Sequence, residues 1–225
     1  MSKRGPKPKR KYDIRWSSNI AYGVGLMVTD GSLSKDGRHI DFTSKDEEQL
    51  HNFNKAFNLS VNISYKKSGY TGEYCSRLQF SDVRLYRFLS ELGITTAKTK
   101  TVSALNIPDE YFFDFLRGHL DGDGSFYSYW DPRWKSSFMY YLSFISYSKD
   151  HLKWILSKIN NFEKVSGSIS SSGQGLPYLR FAKKDSLKIL RKMYHTRGVI
   201  CLSRKKDKID RALAITGESL YMPRC

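Results

Sequence analysis

Two aspartates in this 225-residue chain stand at the same point of a repeated pattern. Asp30 lies in GLMVTDGSL (25–33) and Asp123 in GHLDGDGSF (118–126), 93 residues apart. A lone Asp-Gly reads as a turn; two at matching points of a longer pattern ask for another reason. The residues before each aspartate are glycine and apolar residues of helical character, so each carboxylate falls at a helix C-terminus. The partial negative charge there disfavours an anion, and two such anions brought together repel. A divalent cation relieves both problems. Mg²⁺ suits a site of few carboxylates because it keeps waters and accepts oxygens from a polyanionic substrate. The chemistry such a pair offers is metal-assisted hydrolysis of a phosphodiester.

The elements that would position these residues occur twice. SSNIAYGVGLMVTDG has Ser and Asn able to cap a helix, is apolar on nearly every face and stops at Gly31, the pattern of a helix buried on all sides. Asp36-Gly37 then marks a hairpin. KDEEQLHNFNKAF reads as an amphipathic helix, VNISYKKSGYTGEYCSRLQF as a second hairpin and VRLYRFLSELGI as a third helix. The order returns in PDEYFFDFLRGHLDGDG, a longer hairpin turning at Asp131-Pro132, KDHLKWILSKI, a hairpin turning at 173–175 and DSLKILRKMY. The echoes TSKDEEQL and YSKDHLKW fix the register and place an 11-residue insertion in the first hairpin of the second copy. The expected organisation is a basic N-terminal arm (1–13), two repeats (14–105 and 106–216) and a C-terminal tail (217–225). Gly23, Gly25 and Gly118 would let the two buried helices approach closely, at a cost of about 1 kcal/mol each in helix propensity.

Charge narrows the partner. The chain carries 38 Lys and Arg against 22 Asp and Glu, a net charge of +16, with six cations in its first eleven residues. Such a balance favours nucleic acid. RGPKPKRK fits either a minor-groove arm or a solvated tail touching phosphates. No run of eighteen apolar residues offers a membrane span. The N-terminus lacks the apolar core of a secretory signal, and Cys75, Cys201 and Cys225 form no C-x-x-C pair. The expectation is an intracellular protein, in bacterial or phage cytoplasm or an organelle matrix, without zinc or a disulfide framework.

The segments GVGLMVTDG (23–31) and LRGHLDGDG (116–124) resemble the LAGLIDADG motif of homing endonucleases, and with the repeated order the resemblance spans roughly residues 14–215. The second copy keeps Leu116, Gly118, Asp121, Asp123 and Gly124. The first has Gly23 and Val28 where the motif has its opening Leu and first Asp. The resemblance implies an α+β fold: two pseudo-symmetric αββαββα repeats, forming a saddle of two antiparallel sheets over double-stranded DNA around paired motif helices, in a monomer. It implies Mg²⁺ held by Asp30 and Asp123 with the carbonyls of Thr29 and Gly122, Mn²⁺ substituting and Ca²⁺ supporting binding without cleavage. Both strands of a long asymmetric target would be cut, leaving short 3′ overhangs. A basic catalytic residue is expected at Lys183, with Lys184 its close rival and a plain phosphate contact the other reading of Lys183. The first copy has Ser81-Asp82 there, so the half-sites look unequal. Ser44 and Ser148 fall where the family orders water.

Strand alternation supplies the expected DNA face. With Leu33, Ile40, Ile63, Leu78 and Phe80 turned to the helices, Ser32, Ser34, Asn62, Ser64, Lys66, Arg77 and Gln79 face the groove. In the second copy these are Tyr127, Tyr129, Ser168, Ser170, Tyr178 and Arg180. Polar residues on a sheet face are also simply solvated in many proteins. Lys98, Lys100, Arg204, Lys205 and Lys206, following the last helix of each copy, read as phosphate clamps. None of the five histidines has ligand spacing. The rival functions are an intron RNA maturase, with host intron RNA as partner, a non-cleaving sequence-specific DNA-binding protein on the same fold, and a ribosome- or RNA-binding protein. The last leaves the paired Asp-Gly helices unexplained. The ends MSKRG and YMPRC lack the family's splice residues, which speaks against an intein.

Overall fold

The structure, a computed structural model, describes residues 14–67, 72–96, 101–171, 173 and 175–221. The expected arm (1–13) and the clamps Lys98 and Lys100 lie outside the described residues. The first repeat runs α1 (Ser18–Thr29), β1 (Gly31–Leu33), β2 (His39–Ser44), α2 (Glu47–Ala56), β3 (Ser64–Lys67), β4 (Tyr74–Ser81) and α3 (Val83–Glu91). The second runs α4 (Phe112–Asp121), entered through a 3₁₀ turn at Asp109–Tyr111, then β5 (Ser125–Trp130), β6 (Phe138–Ile145), α5 (Lys149–Phe162), β7 (Gly167–Ser171), β8 (Pro177–Ala182) and α6 (Lys183–Met193). A further helix, α7 (Ser203–Ile215), follows. No helix among the described residues is long and apolar enough to cross a membrane.

Local chemistry explains the boundaries. Ser17 caps α1 by accepting from Ile20 N–H (3.2 Å), and Asp82 caps α3 by accepting from Arg84 and Leu85 N–H (both 3.0 Å). Gly37 turns the first hairpin with φ +76°, in the left-handed region that favours glycine. Each repeat makes one four-stranded antiparallel sheet, in the orders β1-β2-β4-β3 and β5-β6-β8-β7.

Each sheet is covered on one side. Ile40, Phe42 and Leu78 pack under Leu50 and Phe53 of α2 and Leu85 and Leu89 of α3, with the Phe42 and Phe53 rings stacked at 4.5 Å. Leu142, Phe144, Leu179 and Phe181 pack under α5 and α6. The two halves join through α1 and α4, which are in closer contact than any other pair of helices. Every residue of α1 from Ala21 to Val28 is buried, as its all-round apolar sequence requires.

Glycine permits the α1–α4 approach. A Cβ on Gly118 would overlap Tyr22 O and lie 3.2 Å from Gly25 Cα; one on Gly25 would overlap Phe115 O. Gly23 does not serve this contact. It faces the Phe57 ring, 2.5 Å from where its Cβ would be, so it admits α2 of its own repeat.

Candidate functional site

The C-terminal ends of α1 and α4 abut. A Cβ on Gly122 would overlap Thr29 Oγ1 and lie 2.8 Å from Asp30 Oδ2, which puts the Asp30 carboxylate against the residue preceding Asp123. The structure thus brings Asp30, Asp123, Thr29 and Gly122 to one place. Asp30 Oδ2 accepts from Gln49 Nε2 (2.9 Å) and from Thr29 Oγ1 (3.2 Å). Gln49 is buried, and Ser44 Oγ donates to its Oε1 (2.9 Å), so Ser44 reaches the carboxylate through the glutamine. Sequence reasoning missed Gln49. Its signal was a glutamine on the buried stripe of an amphipathic helix, in line with Phe53 and Ala56.

The second half is built differently. At the position matching Gln49 stands Lys153, whose ammonium pairs with Asp150 at the surface (2.9 Å). Ser148 is buried and caps α5, accepting from His151 N–H (3.3 Å). Asp123 is exposed and shares with Thr29, His119 and Ser146 a cavity of about 110 Å³. The motif's earlier aspartate, Asp121, is buried at the helix end and accepts at Oδ2 from Tyr22 OH (2.8 Å) and Leu202 N–H (2.7 Å). Burial pushes its carboxyl up to about 6, against the opposing pull of those two donors, Lys205 and Arg117.

Two lysines stand away from their expected roles. Lys183 begins α6 and donates to Phe138 O (3.1 Å), opposite Trp130 at the far end of the β5–β6 hairpin. Ser125, at the near end, is two residues from Asp123, so at about 3.3 Å per residue the lysine meets the hairpin about 16 Å away. Lys184, in the same first turn, is exposed. Lys205 is the basic residue at the centre. In the first turn of α7 it folds inward, donating to the carbonyls of Leu120 (2.6 Å), Asp121 (2.9 Å), Gly122 (3.0 Å) and Gly124 (2.8 Å). Burial lowers its ammonium to about 8, while Asp121, Asp30 and Asp123 pull the other way. The neighbouring cations are also tied into the fold. Arg204 pairs with Asp46 (2.8 Å), and Lys206 with Asp210. All three belong to a helix that the sequence reading had not separated from the preceding repeat.

The sheet faces turned from the helices carry the expected groove residues. Ser32, Asp41 and Gln79 share one row across β1, β2 and β4; Ser64, Arg77 and Thr43 share the next, and Lys66 lies opposite Cys75. Arg77 Nε donates to Asp41 (2.6 Å), a partner the alternation had not singled out. Ser34 and Asn62 are exposed beyond the strand ends. Ser168 with Arg180 and Ser170 with Tyr178 form rows on the second sheet, beside Tyr127 and Tyr129.

The centre's chemistry fits a hard divalent ion. Its carboxylates and main-chain carbonyls are all oxygen donors, and Mg²⁺ is held by one or two carboxylates plus substrate oxygens rather than by a protein cage. No group of three or more His, Cys, Asp or Glu able to hold a metal occurs among the described residues.

By sequence, no protein-family model and no curated protein matches the chain. Solved structures do. The homing endonuclease I-WcaI bound to its DNA recognition sequence superposes with a TM-score of 0.58 at 14% identity, covering 86% of each chain. The N-terminal LAGLIDADG domain of DUF199/WhiA gives 0.54 at 19% identity over 88% of each chain. I-DmoI in complex with DNA and Mn gives 0.52 at 17% identity, over 80% of this chain and 98% of that one. The repeated αββαββα order, the glycine-mediated pairing of α1 with α4 and these likenesses agree: the chain has the two-repeat LAGLIDADG fold.

Proposed function

We propose that the chain is a site-specific DNA endonuclease that hydrolyses both strands of a long, asymmetric duplex, leaving short 3′ overhangs, in the manner of an intron-homing enzyme. One observation supports this reading: the helix ends that carry Asp30 and Asp123 abut, with the Asp30 carboxylate beside Gly122 and both aspartates acting on the same Lys205 ammonium, a concentration of acidic groups at two negative helix ends. The open sheet faces and a net charge of +16 support duplex DNA as partner.

Asp30 and Asp123, with the carbonyls of Thr29 and Gly122, would hold divalent ions. Mg²⁺ or Mn²⁺ bound there would supply Lewis-acid charge for phosphodiester hydrolysis, and Ca²⁺ would support binding alone. The chain's own residues prepare that place. Gln49, held by Ser44, fixes the Asp30 carboxylate, and the Lys205 ammonium offsets the negative helix end beneath both aspartates. Lys205, rather than Lys183, supplies the basic group this chemistry needs. Gln49 serves one half and Lys205 contacts the carbonyls of the other, so the two strands are expected to be cut at unequal rates.

The test selects bound duplexes from a random library in Ca²⁺ and then supplies Mg²⁺ or Mn²⁺. A defined double-strand break, lost or reduced to nicking in Asp30→Asn and Asp123→Asn, supports the enzyme. Tight sequence-specific binding without cutting in either ion means a DNA-binding protein on this fold. Preference for structured intron RNA means a maturase.

A further inference from the structure

The two open sheet faces differ in chemistry more than the repeat demands. The first presents hydrogen-bonding groups: Ser32, Asp41, Thr43, Arg77 and Gln79. The second presents Tyr127, Tyr129, Tyr141 and Tyr178 around Arg180, with Met139 opposite Tyr129. No acidic residue of β5–β8 lies on that face.

The tyrosines are organised. Tyr127 and Tyr141 stack with ring centroids 5.1 Å apart and planes 16° apart; Tyr129 and Tyr141 are 6.2 Å and 11° apart. The Arg180 guanidinium lies over the Tyr141 ring (5.2 Å) and the Tyr178 ring (5.7 Å) and donates to Tyr127 OH (3.2 Å). Ring faces are largely turned on one another, which leaves fewer of them to stack unpaired bases. The aromatic carbons between the hydroxyls suit the floor of the major groove, where thymine alone among the four bases presents a methyl group. Rings already stacked also lose little freedom on binding.

We propose that the sheet of the second repeat reads thymine methyl groups, so that the half of the DNA target it covers is rich in thymine, while the first repeat reads its half through hydrogen bonds. The inference rests on duplex DNA being the partner, and names the half-site chemistry. Duplexes recovered from the library in Ca²⁺ are remade with deoxyuridine replacing thymidine in one half at a time, and Kd is measured by fluorescence anisotropy. In one half, each methyl removed is expected to weaken binding about fourfold, from the burial of one methyl-sized group. Replacement throughout the other half is expected to leave Kd within about twofold, since hydrogen-bond readout does not use the methyl. Tyr129→Ser and Tyr178→Ser should abolish the deoxyuridine penalty in the first of these halves and leave the other half's affinity pattern intact. Equal penalties in both halves, a recovered consensus without thymine, or a penalty that survives both substitutions overturns the inference with duplex binding still standing. Stronger competition from single-stranded RNA of the same sequence means the rings stack bases, and overturns it too. Failure to recover any duplex removes the parent reading itself.

Discussion

A lysine ammonium in contact with four carbonyls closes the end of α4 and places positive charge beneath Asp30 and Asp123. Lys205→Met keeps an unbranched side chain, one atom shorter, and removes both functions. It is expected to abolish cutting while duplex binding in Ca²⁺ persists, and to lower stability by about 1–3 kcal/mol through carbonyls left without a donor; cleavage assays, anisotropy and denaturant melts check the three parts. Asp121 makes a prediction of opposite sign. Its carboxyl, raised to about 6, keeps its proton in the folded state while the unfolded chain releases it near 4. Stability therefore falls as pH rises between these values, and a penalty persists above 6. Both donors reach Oδ2, so an amide oxygen can keep both bonds, while its NH₂ takes the place of Oδ1, which has no hydrogen-bond partner among the described residues. Asp121→Asn should therefore flatten the fall in stability between pH 4.5 and pH 7.5, read from melts at the two pH values. That Asp30 and Asp123 lie at abutting helix ends was legible in the sequence because an Asp-Gly at matching points of a repeat is informative. Lys205 was not, since a lysine early in a helix looks the same whether it meets a phosphate or folds back onto carbonyls.

The pairing of α1 and α4 depends on backbone meeting backbone. A methyl on Gly118 would strike Tyr22 O, and neither helix can yield locally without losing Gly25 against Gly118. A methyl on Gly23 meets a ring edge of Phe57, which can shift. Gly118→Ala is therefore expected to cost upwards of about 3 kcal/mol or prevent folding, and Gly23→Ala about 1–2 kcal/mol, compared by thermal unfolding. That both positions are glycine was plain from the sequence; which neighbour each admits depends on rotation about the helix axis, which a nine-residue motif does not specify. Strand faces were more legible. Period-two alternation put Arg77, Gln79, Tyr127 and Arg180 on the open side, because one buried face fixes the register of every residue in the strand. Gln49 escaped notice because its meaning lies in a contact between α2 and the end of α1.

Across the whole molecule, the net charge bears on the strength of the proposed DNA binding. With a net charge of +16, affinity for non-specific duplex should fall about 10³-fold between 50 and 200 mM salt, measured as the slope of log Kd against log salt concentration. A shallow slope would mean that the cations are largely spent within the fold, as Arg204 and Lys206 are. The stretch from Cys201 to Lys205 also joins the halves. Cys201 O accepts from Asn52 (2.9 Å), Leu202 N–H binds Asp121, and Ser203 N–H donates to Glu48 (3.0 Å). Lys205 then reaches back to the end of α4. This joint has a consequence for biosynthesis. A nascent chain bearing both aspartates, and even both finished sheets, still lacks the segment that seats Asp121 and caps α4. The ribosome must release residues through Lys205 before the centre can close, so a half-made polypeptide carries Asp30 and Asp123 without the contacts that complete their surroundings.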